Sequence, residues 1–271
     1  MGGRRRHTVS FLSDYGLDDE FAGVVRSVLR SLAPEAAVVD ITHGVAPHDV
    51  RAGALVLARA CQYLAPGVVL AVVDPGVGTA RRAVAVAAGP DEEQVFVGPD
   101  NGLLAPAVAL LGGATRAVEL ANAGYQLAAP GPTFAGRDVF APAAAHLCNG
   151  VELGELGPAV DPLSLRPGLV PLSRVEDGRL VAEVLWVDRF GNVQLNAGPD
   201  ELDPLGERVT LRWGGDQVRT ARRATAYGEL KAGEVGLVVD SYGLVSVALD
   251  RRSAAAELRL HAGDAVTLAA P

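Results

Sequence analysis

The sequence predicts an α/β protein with two domains: an N-terminal domain of βαβ units around a mostly parallel sheet, and a smaller, antiparallel, β-barrel-like C-terminal domain. In the first half, short apolar runs alternate with helical patterns, which favours a parallel sheet covered by helices. In the second half, short strand-like runs follow one another between Gly, Asp and Pro turns, as is typical of a small sandwich or barrel. We place the domains at residues 1–165 and 166–271.

The N-terminal elements follow from the spacing of apolar residues. A buried strand at 9–12 precedes a helix whose apolar residues share one face: Phe21, Val24, Val25, Val28, Leu29 and Leu32. We then expect a strand at 37–41, a helix over about 49–64, a strand "VVLAVV" that ends at Val73, strands "AVAVAA" and "QVFVG", and a helix near 103–111. Functional loops are expected at the carboxyl ends of these strands.

The C-terminal elements begin after "GPAVDPLSLRPGLVPL", a stretch rich in proline that predicts an inter-domain linker. Six strand candidates follow it, separated by turn residues: "LVAEVLWV", "NVQLN", "RVTLRW", "VGLVVD", "LVSVAL" and "AVTLAA".

Composition and charge exclude several classes of protein. The net charge of −8 argues against a nucleic-acid binder, because phosphate binding relies on clustered Lys and Arg. No apolar run approaches the roughly 18 residues of a membrane span, so we expect no membrane association and a cytoplasmic protein. Cys61 and Cys148 have no metal-ligand spacing, so neither a disulfide framework nor a zinc site is indicated.

Polar clusters interrupt the apolar chain where strands should end. After the first strand, Asp14 could bind the vicinal hydroxyls of a ribose, whereas Asp18 or Asp19 could cap the next helix. After the third strand, "VVDPGVGTARR" carries Asp74, a flexible glycine turn and Arg81. This turn lacks the GxxxxGK[ST] and GxGxxG patterns, so the sequence leaves open whether it binds a ligand or is only structural.

Two further clusters have a ligand interpretation and a simpler one. "GPDNG" and "TFAGRDVFAP" contain residues typical of turns, and Asp138 could cap the helix that carries His146. In "WVDRFGNVQLN", Phe190 and Asn192 beside Asp188 could hold a nucleobase by stacking and edge hydrogen bonding, or could form an ordinary hairpin turn.

Taken in order, six stretches resemble the S-adenosyl-L-methionine (SAM) hydrolase family, also called SAM hydroxide adenosyltransferases, which are relatives of the fluorinase and chlorinase: "FLSDYGLDDEFAG", "VVDITHGVAPHDVRAGA", "VVDPGVGTARR", "VGPDNGLL", "TFAGRDVFAPAAAHL" and "VDRFGNVQLN". The resemblance covers about residues 8–255. It implies a homotrimer with substrate between neighbouring subunits. It also implies attack of water on ribose C5′ of SAM, giving adenosine and L-methionine without a metal or cofactor.

The resemblance also implies residue roles. Asp74 and Arg81 would handle the attacking water. Arg81 is expected to lower the pKa of Asp74 and so to weaken it as a base, which leaves the pair mainly a positioning role. The implied substrate-binding residues are Asp14 at the ribose, Asp19, Asp188 and Ser241 at the methionine portion, Phe190 and Asn192 at adenine with Arg252 to Ala254 closing around the base, and Ser246.

One position departs from the family pattern. The loop that typically reads "TFHGRD" has Ala135 in place of the histidine, which predicts an impaired hydrolase. Two alternatives stay open: a SAM-dependent halogenase, because a methyl group leaves room for a larger nucleophile, and a non-catalytic SAM- or adenosine-binding protein. His48 stands where the fluorinase has a tryptophan and Asp74 where the halogenases have a tyrosine, and both differences favour water as the nucleophile.

Overall fold

The computed structural model describes residues 3–271, and the chain divides into a unit that ends at Val170 and a unit Pro171–Pro271. In the first unit, the strands are β1 (Thr8–Ser13), β2 (Ala37–Thr42), β3 (Gly67–Val72), β4 (Ala83–Ala88), β5 (Gln94–Pro99), β6 (Ala114–Glu119) and β7 (Ala159–Val160). The α-helices are α1 (Phe21–Leu32), α2 (Val50–Cys61), α3 (Ala105–Leu110) and α4 (Ala141–Cys148), and a π-helical turn, Gly136–Phe140, leads into α4.

These strands form one sheet in the order β2-β1-β3-β5-β4-β6-β7. The half that carries β2, β1, β3 and β5 is parallel, and β4, β6 and β7 complete the other half with antiparallel pairings. Alternate residues of β1 and β3 enter two separate cores: Phe11 and Leu70 pack with α1 and α4, whereas Leu12 and Val69 pack with α2 and α3. Helices therefore cover both faces of the sheet, as the sequence predicts.

The second unit is a mixed barrel. Its strands are β8 (Arg174–Glu176), β9 (Arg179–Val187), β10 (Val193–Leu195), β11 (Arg208–Trp213), β12 (Gln217–Ala224), β13 (Val235–Val239), β14 (Val245–Ala248) and β15 (Ala265–Ala269). The order β10-β14-β13-β12-β11-β15-β9 closes through pairing of β10 with β9, and β8 adds a hairpin to β9. Two short helices, α5 (Pro199–Leu202) and α6 (Ala254–Leu258), connect strands. The predicted fold class is confirmed, and one pairing, β12 with β13, is parallel.

Several element predictions need correction. α1 has Glu20 at its N-cap without a side-chain cap, so neither Asp18 nor Asp19 caps it. β6, β8 and β12 were not foreseen because they are short or polar: "QVRTARRA" of β12 buries only Ala221. The proline-rich stretch expected to be a linker contributes β7 to the sheet before it leaves the first unit. No helix within residues 3–271 is both long and apolar enough to cross a membrane.

Candidate active site

A pocket opens where β1 and β3 end. The two strands are neighbours, but β1 connects to β2 on its other side, so the sheet order reverses here. In open α/β sheets, ligands bind at such a switch point. The cavity holds about 340 Å³ and is lined by carboxylates, aromatic rings and one imidazole together with small residues: Asp14, Asp19, Asp74, Tyr15, Phe21, Phe134, His48, Pro47, Val77, Thr133, Ala135 and Gly136. It therefore brings together four residues that the resemblance implicates: Asp14, Asp19, Asp74 and Ala135.

Asp74 and Arg81 form a two-point ion pair at this pocket. Arg81 Nε donates to Asp74 Oδ1 at 3.0 Å, and Nη2 donates to Oδ2 at 2.6 Å. Only 12% of the Arg81 side chain and 5% of the Asp74 side chain are exposed. A turn joins them: Val77 N–H donates to the Asp74 carbonyl at 3.2 Å, and Gly78 adopts a φ of +76° that favours glycine. The glycine-rich loop thus serves to return Arg81 to Asp74.

The environment of Asp74 raises its pKa above the ordinary carboxyl value. The main cause is burial, and the charge and hydrogen bonds of Arg81 oppose the shift only in part. The expectation that Arg81 leaves Asp74 a weaker base than usual is therefore wrong, because the loss of hydration outweighs the attraction. Asp74 is a somewhat better proton acceptor than an exposed aspartate.

The "GPDNG" turn makes hydrogen bonds to the residue before Asp74 and to the residue after Arg81. Asn101 Nδ2 donates to the carbonyl of Val73, the residue before Asp74, at 2.9 Å. Asp100 accepts from Arg82 Nε at 2.9 Å, and its own N–H donates to the Arg82 carbonyl at 2.9 Å. A stretch that the sequence explains only by its turn chemistry thus fixes the residues that flank Asp74 and Arg81.

Asp14 links β1 to the loop before α2. Its Oδ2 accepts the backbone N–H of His48 at 2.8 Å, and its own N–H donates to the Val72 carbonyl at 3.3 Å. His48 has a φ of +68°, in the left-handed region. Asp49 then caps α2 by accepting the Ala52 N–H at 2.8 Å. Asp14 is therefore a ligand candidate that also holds one wall of the pocket.

The loop that carries Ala135 forms another wall. Ala135 is 9% exposed and lies at the N-terminal end of the π-helical turn. A side chain at Gly136 would collide with Tyr15 Oη, so Tyr15 packs directly on this loop. Tyr15 also contacts Phe21 and Phe134, with ring centroids 5.7 Å from each. Burial, followed by nearby carboxylates, raises the pKa of Tyr15 above its ordinary value, so the phenol stays protonated.

Asp138 does not cap α4, contrary to the expectation. The N-cap of α4 is Phe140, and Asp138 instead pairs with Arg137, whose Nε lies 2.5 Å from Oδ1. His146 is half-buried against the ring of Tyr125 at 4.9 Å between centroids, and burial lowers its pKa. These contacts give His146 a structural role in the packing of α4.

In the second unit, Asp188 organises the turn that presents Phe190. Its Oδ1 accepts the backbone N–H groups of Phe190 and Asn192, each at 2.8 Å, and its Oδ2 accepts Asn192 Nδ2 at 2.8 Å. The Phe190 ring is 79% exposed. The turn thus displays an aromatic face beside a fixed amide, which is the arrangement that nucleobase stacking requires.

The segment from Arg252 to Ala254 lies against this turn. Gly191, with a φ of +83°, packs on Ser253, and the Ala255 N–H donates to the Gly191 carbonyl at 2.9 Å. The Arg252 side chain extends to Glu257 at 2.7 Å, and Ala254 is fully buried. The structure therefore joins two stretches that lie about sixty residues apart in the chain.

Ser241 and Ser246 occupy different environments. Ser241 is exposed in the turn after β13, whereas Ser246 is 2% exposed in β14. The Ser246 hydroxyl donates to Asp240 Oδ2 at 3.0 Å, and Gln194 Nε2 donates to the same oxygen at 2.6 Å. Ser246 thus orders the turn that carries Ser241.

The sequence did not single out Tyr15 and Asn101, which belong to the pocket or its support, and it noted His48 only for the difference from the fluorinase. Tyr15 and His48 line the cavity, and Asn101 braces the strand end. Tyr15 adjoins Asp14 and could have been noted from that adjacency. The roles of His48 and Asn101 depend on long-range contacts that no local pattern reveals.

Among residues 3–271, no group of three or more His, Cys, Asp or Glu side chains could hold a metal ion.

The fold and the pocket define a two-unit α/β and β-barrel protein with a small-molecule site at a switch point. The chain belongs to the SAM hydroxide adenosyltransferase family: the model of its N-terminal domain matches residues 9–157, and that of its C-terminal domain matches residues 182–267.

Relatives and solved structures agree with this assignment. The chain is 48% identical to the (R)-S-adenosyl-L-methionine hydrolase of Salinispora tropica, over 97% of both chains, and 44% identical to the Thermus thermophilus enzyme of that name, over 96% and 98%. It is 28% identical to a fluorinase from Actinoplanes, over 96% of both. A crystal structure of an uncharacterized conserved protein from Thermotoga maritima superposes with a TM-score of 0.88 at 35% identity, covering 96% of this chain and 99% of that one.

Proposed function

We propose that this protein hydrolyses SAM to adenosine and L-methionine by in-line attack of water on ribose C5′. The observation that carries the proposal is the buried Asp74–Arg81 pair, which lies beside Asp14 at the switch-point pocket. The hydrolases at 44% to 48% identity support it more strongly than the fluorinases at 28% to 29% support a halide reaction.

The chemistry needs a positioned nucleophile rather than an acid. SAM is a sulfonium, so its leaving group is a neutral thioether that requires no proton. Bulk water has a pKa near 15.7 and an ordinary aspartate near 3.9, a gap of about 12 units or roughly 16 kcal/mol. The raised pKa of Asp74 closes only part of this gap, so Asp74 does not hold a preformed hydroxide.

Asp74 and Arg81 instead fix one water in line with the C5′–S bond. The proton leaves late, as positive charge builds on the attacking oxygen. Orientation of this kind contributes on the order of 7 to 11 kcal/mol. Where bulk water is excluded, the Asp74 carboxylate also stabilises the positive charge that builds on the attacking oxygen.

The substrate groups are assigned to the two units. In the first unit, Asp14 would bind the ribose hydroxyls and Asp19 the methionine ammonium. In the second, Phe190 would stack on adenine and Asn192 would bind its edge, with Arg252 and Ala254 closing around the base. Asp188 and Ser246 would act indirectly, by ordering the turns that carry Phe190 and Ser241. Ser241 is exposed, so its hydroxyl is available to bind the methionine end of the substrate.

Assembly, cofactor and location are parts of the same proposal. We place the working sites between subunits of a homotrimer, as the family resemblance implies, with no nucleic-acid or membrane partner. No metal or cofactor is assigned, because a neutral leaving group needs no Lewis acid. The two buried free cysteines, Cys61 and Cys148, favour the reducing cytoplasm.

The test is product analysis after incubation with the separate (R) and (S) sulfonium epimers of SAM, since the relatives' name specifies the (R) form. Equal amounts of adenosine and methionine are expected, and Asp74→Asn should abolish most of the turnover while Asp216→Asn, at an exposed turn, should not. Formation of 5′-chloro-5′-deoxyadenosine in chloride would favour the halogenase. Calorimetric binding of SAM without methionine release would favour a non-catalytic binding protein. The absence of the family histidine at position 135 is the feature that supports this alternative.

A further inference from the structure

The pocket lacks an imidazole at position 135 but has one elsewhere. Among the described residues that line the cavity, His48 carries the only imidazole. Ala135 lines the same cavity and offers a methyl group with no capacity to accept a proton. Among the described residues that line the cavity, His48 is therefore the one whose side chain could take the proton-accepting role of the missing histidine.

The backbone at His48 is held in an uncommon conformation. Its φ of +68° is unfavourable for a residue with a side chain, and such conformations persist where surrounding contacts fix them, often at functional sites. Two contacts fix this one: the His48 N–H donates to Asp14 Oδ2 at 2.8 Å, and the His48 carbonyl accepts the Val50 N–H at 2.9 Å. His48 thus lines the pocket on a wall that is anchored to the proposed ribose ligand.

Charged groups from three parts of the sheet edge face the same cavity. Asp14 follows β1, Asp19 precedes α1 and Asp74 follows β3, and the charge of Asp74 is offset by Arg81. Both Asp74 oxygens accept hydrogen bonds from Arg81, so protonation of Asp74 would weaken this ion pair even though burial raises the pKa of Asp74. Positive charge that develops on His48 would therefore lie among carboxylates.

We propose that His48 is a catalytic residue that accepts the proton of the attacking water, in place of the histidine absent at position 135. The step rests on the proposed hydrolysis. A lone pair of the water oxygen forms the bond to C5′ while the C5′–S bond breaks and its electron pair stays on sulfur, as neutral methionine. The proton passes from that oxygen to a ring nitrogen of His48, and from there to solvent, because His48 is exposed.

The test compares His48→Gln, Ala135→His and the double variant, with His261→Gln as a control at an exposed imidazole in the second unit. His48→Gln should lower kcat by about 100-fold or more, the typical size of general acid-base help, while the dissociation constant for SAM changes little. Added imidazole should restore part of the rate of His48→Gln. Ala135→His should restore most of the rate in the His48→Gln background.

Three results would overturn this assignment in different ways. If the wild-type protein hydrolyses SAM and His48→Gln keeps its kcat, His48 is not the acceptor and the hydrolase proposal stands. If the wild-type protein releases no methionine from either epimer at any pH, both proposals fall together. Loss of SAM binding in His48→Gln without a change in kcat would also exclude a proton-transfer role.

Discussion

One of the two hydrogen bonds of the Asn101 side chain bears on the chemistry of the pocket. Its Nδ2 holds the Val73 carbonyl at 2.9 Å, directly before Asp74. We expect Asn101→Ala to lower kcat by roughly tenfold with a smaller change in KM, because misplacing a positioned water costs rate more than affinity. Steady-state kinetics check this, and Asn122→Ala, in a loop outside the pocket, is the control. Equal losses in the two variants would show that Asn101 serves stability alone.

The sequence alone predicts some residues of the candidate site and misses others. Asp14, Asp74 and Arg81 could be found because they follow buried strands or a glycine turn. His48 could not be assigned to the pocket from spacing, since its position depends on the hydrogen bond from its backbone to Asp14, thirty-four residues away. The sign of the Asp74 pKa shift was missed because burial is a property of the folded chain.

The loop before α4 depends on the absence of a side chain at Gly136. A methyl group there would collide with Tyr15 Oη, and Tyr15 is held among Phe21 and Phe134. We expect Gly136→Ala to destabilise the fold by about 1–3 kcal/mol, the usual cost of overpacking, and to weaken SAM turnover. Thermal or denaturant unfolding measures the change.

Gly131→Ala in the same loop is the matched control for that variant. Nothing lies within 4 Å of a Cβ at Gly131, so its stability should stay close to that of the wild type. If Gly136→Ala were no less stable than Gly131→Ala, Tyr15 would not pack on this loop as described.

Helices α2 and α4 bury the two cysteines. Cys61 and Cys148 are 2% and 5% exposed, and burial raises the pKa of Cys148 to about 11. Because the thiolate is the reactive form, a thiol reagent near pH 8 should label neither residue in the folded protein and both after unfolding. Mass spectrometry of the labelled chain checks this. Rapid labelling of the native protein would contradict the burial of these helices.

Element prediction succeeded where a strand is buried on both faces or a helix has one apolar stripe. β1, β3 and α1 are examples, since their apolar residues enter the cores described above. β12 was missed because its residues are mainly polar and exposed, and its place depends on pairing with β11 and β13. Pairing partners lie far apart in the chain, so a local pattern does not specify them.

For the whole molecule, exposed apolar side chains favour assembly. Leu163, Leu169 and Leu172 are 94%, 83% and 85% exposed within a single stretch of ten residues. Apolar surface of this kind often marks an interface. Sedimentation analysis should therefore give a mass three times that of one chain, as the proposed trimer requires. A monomer with full SAM turnover would contradict sites shared between subunits.

In the proposed reaction, water held by Asp74 and Arg81 attacks C5′ of the ribose. Turnover of SAM in ¹⁸O-labelled water, followed by mass spectrometry of both products, tests this directly. We expect one ¹⁸O atom in the 5′-hydroxyl of adenosine and none in methionine, with C5′–S cleavage in every turnover. Adenosine without the label, or a 5′-halogenated nucleoside in its place, would contradict it.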